Sequence, residues 1–300
     1  MALLRYDHGS GPRLGRLLSS EELIPLNVSL AEGQGVETLL VDGVEETARR
    51  VAGVESGDPV ALSDVTLLSP VPRPSKVIAV GLNYADHVAE SNMPTPAVPA
   101  VFAKFPNSIV GPGEAILRPR ASEQVDYEAE LCIVIGRRCR NVPASRAAEV
   151  IGGYTILNDV SVRDLQLATQ HWSLGKSFDT HGPTGPWVVT PDEVDPKAGL
   201  AVRTWVDDEL RQDSDTSQLI FDCAALVEYI SGFATLLPGD LIATGTPGGV
   251  GGAMDPPVYL RPGEEVRIEI EGIGTLMNPV AEEPADNVRI GEGSVSGAAR

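Results

Sequence analysis

Cysteine is scarce in this chain of 300 residues, which carries only Cys132, Cys139 and Cys223. Three scattered thiols without a CxxC pair exclude a disulfide framework and a cysteine-based metal knuckle, and Cys132 and Cys223 read as small core residues. Basic side chains are also few. The 23 Lys and Arg stand against 42 Asp and Glu, a net charge of −19, which leaves no basic footprint for a nucleic-acid partner. The excess is spread along the chain, since residues 1–70 alone hold eleven acids and five bases. No run approaches the roughly 18 apolar residues of a membrane span. Because Met1-Ala2-Leu3-Leu4-Arg5-Tyr6-Asp7 lacks a long apolar secretion segment, a cytoplasmic protein with no membrane partner is expected. No internal repeat is visible. What the chain does have is 42% hydrophobic residues, enough for one large core or two smaller ones.

A small leading module is expected over residues 1–70, bounded by Ser69-Pro70-Val71-Pro72-Arg73-Pro74-Ser75, whose alternate prolines predict an extended connector. A second domain is expected over 71–285 and a loose Gly- and Ser-rich tail over 286–300. In the second domain, strand-like runs recur at 77–80, 100–103, 127–135, 154–160, 187–190, 200–207, 241–244 and 265–271. Helices are expected at 85–91, 144–151, 161–170 and 224–236. That mixture is strand-rich α+β and not a regular βαβ alternation.

Two glutamates one residue apart stand in an otherwise apolar strand, Val125-Asp126-Tyr127-Glu128-Ala129-Glu130-Leu131-Cys132-Ile133-Val134-Ile135. Side chains on a strand alternate, so Glu128 and Glu130 share a face with Cys132 and Val134, about 7 Å apart at their α-carbons. Like carboxylates on such a face repel and lose hydration, so one takes up a proton unless a cation lies between them. Mg²⁺ or Mn²⁺ suits such hard oxygens. A solvent-facing edge would make both residues merely wet, but a third carboxylate, Asp159, follows another apolar run. Directly after it, Arg163 and Gln166 are spaced to share a helical face and reach a bound anion. Lys176 lies between turn-forming residues, where a surface ammonium is the simplest expectation. Near three carboxylates it would partly balance their charge, as would Lys104.

The segment Gly81-Leu82-Asn83-Tyr84-Ala85-Asp86-His87-Val88-Ala89-Glu90-Ser91 predicts a helix capped by Asn83, with Asp86 in the capping-box position. His87 and Glu90 are three apart on one side, so the carboxylate can hold the imidazole as a general base. An ordinary surface His–Glu contact is the plainer alternative. Gly175-Lys176-Ser177 imitates the end of a phosphate-binding loop, but Gln170 occupies the position of the required glycine. The glycine-rich stretch at 245–252 lacks the spacing of a dinucleotide fold, although its amides and the Thr246 hydroxyl can grip a carboxylate.

In order, Gly81-Leu82-Asn83-Tyr84 through His87 and Glu90, Asp126-Tyr127-Glu128-Ala129-Glu130-Leu131, Asn158-Asp159-Val160-Ser161-Val162-Arg163-Asp164, Lys176-Ser177-Phe178-Asp179 and Gly245-Thr246-Pro247-Gly248-Gly249-Val250-Gly251 resemble the fumarylacetoacetate hydrolase family. The resemblance covers about residues 77–280 and lies nearest the family's acylpyruvase and oxaloacetate decarboxylase-like branch. It implies an α+β fold with a mixed β-roll catalytic domain behind a small N-terminal domain, a homodimer, and Mg²⁺ or Mn²⁺ on Glu128, Glu130 and Asp159. It further implies that Arg163, Gln166, Thr246 and the adjoining Gly245 contact substrate, that Lys176 is catalytic, and that His87 with Glu90 activates water. The expected reaction is carbon–carbon cleavage of an acylpyruvate-type 2,4-dioxo acid through a pyruvate enolate stabilised electrostatically. Oxaloacetate decarboxylation and hydroxydiene-dioate isomerisation suit the same site. A non-catalytic metal-stabilised scaffold is the reading from another class, and the presence of the dyad, the lysine and all three carboxylates speaks against it. His181 stands where relatives often carry an apolar or aromatic residue, and its side chain is expected to shape the pocket.

Overall fold

Residue alternation in the strand Ala129–Ile135 organises the molecule, because both of its faces are buried. Leu131, Ile133 and Ile135 enter one core cluster, and Cys132 and Val134 enter another. A strand covered on both sides is apolar at nearly every position, which is why Glu130 stands out within it. The computed structural model describes residues 1–40 and 43–285. The tail expected at 286–300 lies outside the described residues.

From one edge, the large sheet orders Val60–Ala61, Glu22–Leu26, Pro12–Leu17, Ala2–Asp7, Gly182–Val189, Ile151–Asn158, Ala129–Ile135, Leu241–Ala243, Val77–Gly81 and Ala100–Lys104. The N-terminal strands are continuous with this sheet through the antiparallel pairing of Ala2 with Val189 and Leu3 with Val188. A second sheet of five strands, Glu209–Asp215, Ala201–Val206, Glu265–Ile270, Gly274–Glu282 and Ile116–Arg118, contributes Val202, Val266, Ile268 and Leu276 to the first cluster. The helix Cys223–Phe233 adds Leu226, Val227 and Ile230 to the same core, and the Asp222 carboxylate caps it by accepting the Ala225 amide. Mixed pairing and scattered helices make the fold α+β.

The strand runs expected in the second domain all form, with shifted ends. Ile151–Asn158 begins three residues early and stops before Asp159. The helix expected at 161–170 shrinks to Arg163–Leu167, because Ser161 and Val162 pair with Asp126 and Val125. The helix expected at 144–151 is a 3₁₀ segment, Ala144–Glu149, with Ile151 already in a strand. Asn83 does not cap Ala85–Ser91, where Tyr84 precedes the first turn without a side-chain cap. Asn83 is buried instead, where it donates to the carbonyls of Phe221 and Thr244 and accepts the Phe221 amide. A side chain that can bond three backbone groups across two segments does more there than at one helix end.

Candidate active site

Sheet register brings the three carboxylates together. In the antiparallel ladder Ala129 faces Asn158, so Glu128 lies opposite Asp159, whose amide donates to the Glu128 carbonyl at 2.9 Å. On the other side Cys132 faces Ala243, which carries the chain beyond that strand past Glu130. The Gly245 amide there donates to Glu130 Oε2 at 2.6 Å. Ligand atoms of Glu128, Glu130 and Asp159 all lie within 4.8 Å of one another, and all three residues are buried.

Two lysines share this floor. Lys176, only 1% exposed, donates to Glu128 Oε2 at 2.6 Å and Asp159 Oδ2 at 2.8 Å, so the expectation of a surface ammonium does not hold. Lys104 is equally buried and forms an ion pair with Asp159 Oδ1 at 2.8 Å. Burial opposes the charge on Lys176, but Asp159 and Glu128 outweigh it and raise its pKa. For Lys104 burial wins and lowers the pKa. Burial also pushes the Glu128 carboxyl up, yet Lys176 and Arg163 overcome it and hold the group below the usual carboxylate range. Among the described residues no cation forms an ion pair with Glu130, and the pull of Lys176 on it is outweighed. Burial first, then repulsion from Asp159 and Glu128, drives its pKa well above the ordinary value.

The three buried carboxylates offer hard oxygens within 4.8 Å of one another, and among the described residues no cation forms an ion pair with Glu130, so this donor chemistry fits a divalent ion.

Arg163 forms the next layer. Its Nε donates to Asp126 Oδ2 at 2.8 Å, and its Nη1 donates to Glu128 Oε1 at 2.6 Å and Gln166 Oε1 at 2.9 Å. Asp126 in turn accepts the amides of Gly251 and Gly252, which ties the glycine-rich loop to the arginine. Motif spacing did not mark Asp126 as part of the site. A signal was there, because Asp126, Glu128 and Glu130 occupy alternate positions.

A cavity of about 410 Å³ opens over this floor, and its wall includes His87, Glu90, Arg163, Gln166, Lys176 and Thr246. Glu128 and Glu130 also border it, whereas Asp159 and Gly245 do not. His87 Nδ1 and Glu90 Oε1 are 2.9 Å apart, and Glu90 Oε2 accepts the Gly249 amide at 2.7 Å. The helix carrying the pair is thus latched to the glycine-rich loop. Behind it, a Cβ on Gly81 would stand 2.3 Å from the Trp172 ring, which meets Phe102 edge-on at 5.5 Å between centroids. Trp172, Phe102 and Met93 supply apolar wall that no motif announced, joined by Val250 of the glycine-rich loop. His181 takes no part in that wall. It is fully buried, with Nε2 2.9 Å from the Leu117 carbonyl oxygen, so it supports the floor from behind and does not shape the pocket.

Residues 76–281 match the family described as fumarylacetoacetate (FAA) hydrolase, C-terminal. A mitochondrial oxaloacetate tautomerase of Bos taurus is 47% identical over 220 residues, 73% of this chain and 70% of that protein. A mitochondrial oxaloacetate tautomerase of Homo sapiens is 40% identical over 280 residues, 92% of this chain and 87% of that protein. Among solved structures, a 5-carboxymethyl-2-hydroxymuconate delta-isomerase from Mycobacterium smegmatis superimposes with a TM-score of 0.77 at 39% identity, covering 94% of this chain and all of that one. A fumarylacetoacetate hydrolase from psychrophilic Exiguobacterium antarcticum gives 0.81 at 37% identity with the same coverage.

Proposed function

The chain belongs to the fumarylacetoacetate hydrolase family, and from that premise we propose that its cavity moves a proton at the carbon next to the carbonyl of a short 2-oxo dicarboxylate, interconverting keto and enol forms of an oxaloacetate-class acid. The observation that carries this reading is the pinned His87–Glu90 pair in the same cavity as Lys176 and the carboxylate floor. A base beside a fixed cation is what enolisation needs. The names of the relatives at 40–47% identity support the substrate class.

Glu90 accepts from Nδ1, which leaves the Nε2 lone pair of His87 to take the proton. Gln166 has its oxygen bonded by Arg163, so its amide hydrogens are free to donate to a substrate carboxylate. Thr246 adds a hydroxyl on the same wall. Arg163 orients Glu128 and Gln166 while contributing positive potential, and Gly245 holds Glu130 through its amide. Lys176 stabilises the negative charge that develops on the enolate oxygen. Glu128, Glu130 and Asp159 would hold Mg²⁺ or Mn²⁺, which when bound supplies Lewis acidity that makes the α-proton of a 2-oxo acid easier to remove.

A second reading is hydrolytic cleavage of acylpyruvate-type 2,4-dioxo acids. It is favoured by His87 Nε2, which meets no hydrogen-bond partner among the described residues and is equally able to deprotonate a water, and by a cavity roomy enough for a distal acyl group. Decarboxylation of oxaloacetate and isomerisation of a hydroxydiene dioate draw on the same enolate. A homodimer and a cytoplasmic location belong to this proposal, as does a boundary near residue 70. No helix among the described residues is long and apolar enough to cross a membrane.

The test is a substrate panel of oxaloacetate, an acylpyruvate and a hydroxydiene dioate, with Mg²⁺ or Mn²⁺ and then EDTA. Enol-to-keto conversion is followed by ultraviolet absorbance and α-proton exchange by NMR in D₂O. Rapid exchange at C3 of oxaloacetate that is lost in His87→Ala supports the tautomerase reading. Acylpyruvate cleavage at a higher kcat/KM than tautomerisation replaces it with the hydrolase.

A further inference from the structure

Gln212 lies on the strand Glu209–Asp215 of the second sheet, outside every motif of the site, and it is fully buried. All four hydrogen-bonding positions of its carboxamide are used. Oε1 accepts the Ala129 amide at 3.1 Å and the Thr204 hydroxyl at 2.8 Å. Nε2 donates to the Pro247 carbonyl at 2.9 Å and to Thr246 Oγ1 at 2.8 Å. A backbone amide only donates and a carbonyl only accepts, so Ala129 and Pro247 fix which end of the carboxamide is oxygen. Thr246 must then accept from Nε2, and its single proton points elsewhere. Thr246 borders the cavity, and no acceptor among the described residues takes that proton.

The chain is built for this approach. A Cβ on Gly249, whose φ is +98°, would stand 2.1 Å from the Arg211 carbonyl oxygen and 3.2 Å from Gln212 Cα, so only glycine lets the loop lie against that strand. The Gln212 oxygen meanwhile holds Ala129, the residue between the two glutamates. One side chain from the second sheet thereby couples the glycine-rich loop to the carboxylate strand.

We propose that Gln212 is a positioning residue that makes Thr246 a one-way hydrogen-bond donor into the cavity, so that the ligand atom facing Thr246 is a proton-free acceptor such as an ionised carboxylate oxygen. The inference rests on the reading of the cavity as a 2-oxo acid site. Glutamate at position 212 offers only acceptors when ionised, so the Thr246 proton turns back towards it and is withdrawn from the ligand.

The experiment compares wild type with Gln212→Glu, Thr246→Val, Thr246→Ser and the Gln212→Glu/Thr246→Val double variant. It reads KM and kcat on the turned-over 2-oxo acid and Kd for pyruvate by calorimetry in Mg²⁺ buffer. Loss of a hydrogen bond to a charged group is worth about 10- to 100-fold in affinity. Gln212→Glu and Thr246→Val should each raise KM and Kd by that factor with kcat little changed, Thr246→Ser should stay near wild type, and the double variant should be no worse than the worse single. Additive losses, or an unchanged KM in Gln212→Glu, would reduce Gln212 to a structural residue and overturn the inference. If Gln212→Glu does not fold, Thr246 decides: unchanged pyruvate affinity in Thr246→Val overturns the inference, and a loss rescued by serine supports it. A wild type that neither binds nor turns over any 2-oxo acid overturns the reading of the site itself, an outcome distinct from additivity among variants.

Discussion

The floor of the cavity and its wall use charge in opposite ways. On the floor, Lys104, Lys176, Glu128, Glu130 and Asp159 are all buried, and burial together with the neighbouring charges shifts the pKa values of Lys104, Lys176, Glu128 and Glu130. On the wall, the His87 and Glu90 side chains keep 13% and 25% of their exposure and form a self-contained pair on a short helix. A buried cluster fails as a unit when one partner is removed, because the others become uncompensated charges. A half-buried pair on a short helix adds less to stability than a fully buried cluster, so it can be lost without unfolding the protein. On the proposed function, the floor serves folding and metal affinity, and the wall serves turnover.

The sharpest break in that comparison is Lys176→Met. It strips the cation from Glu128 and Asp159, and the expected result is loss of measurable turnover with a stability drop of about 3–5 kcal/mol by urea unfolding. A variant as stable as wild type would show that the floor is wetter than the burial implies. Next is His87→Ala, where kcat should fall by about 10² to 10⁴ while the unfolding midpoint stays put. A matching fall in stability would erase the distinction between wall and floor.

Glu130→Gln sharpens the floor from the other side. It removes the floor carboxylate that no cation pairs with among the described residues, so the metal-free protein should keep or gain stability. The rise in Tm that Mg²⁺ or Mn²⁺ gives wild type should shrink or vanish, as differential scanning fluorimetry would report. A full metal response in that variant would move the ion elsewhere.

The smallest effect concerns His181 behind the floor. Burial lowers its pKa to about 3, even though the Leu117 carbonyl favours its charged form. Between the unfolded value of about 6.5 and that folded value, the unfolded chain binds a proton that the folded chain does not. Stability from this residue is therefore present above pH 6.5 and is lost as pH falls through the window. His181→Gln, which keeps a neutral donor for Leu117, should flatten the acid limb of a stability-versus-pH curve, and an unaltered limb would assign acid sensitivity to the carboxylates.

Much of this was legible beforehand where a residue contradicted its surroundings. Glu128 and Glu130 stood out because a strand apolar on both faces has no ordinary use for them, and Asp159 stood out at the end of its neighbour. The Asn83 cap and the long helix after Ser161 were misread because local spacing ignores partners distant in sequence. Asn83 bonds Phe221 and Thr244 instead, and Ser161 and Val162 pair with Asp126 and Val125. Gln212 gave no signal at all, since one amide on a polar strand resembles any solvent-facing residue.

By itself the sequence determined which residue types could carry the chemistry: hard oxygens, a held imidazole, lysines and a glycine-rich loop, in an order that resembles one family. Only the tertiary structure decided that Lys176 is buried between two acids, that burial and two neighbouring acids raise the Glu130 carboxyl, that His181 faces away from the cavity, and that Gln212 reaches Thr246 from another sheet. The physical reason is that burial and hydrogen-bond polarity depend on which segments meet, and register between distant strands is set by packing both faces of a sheet at once.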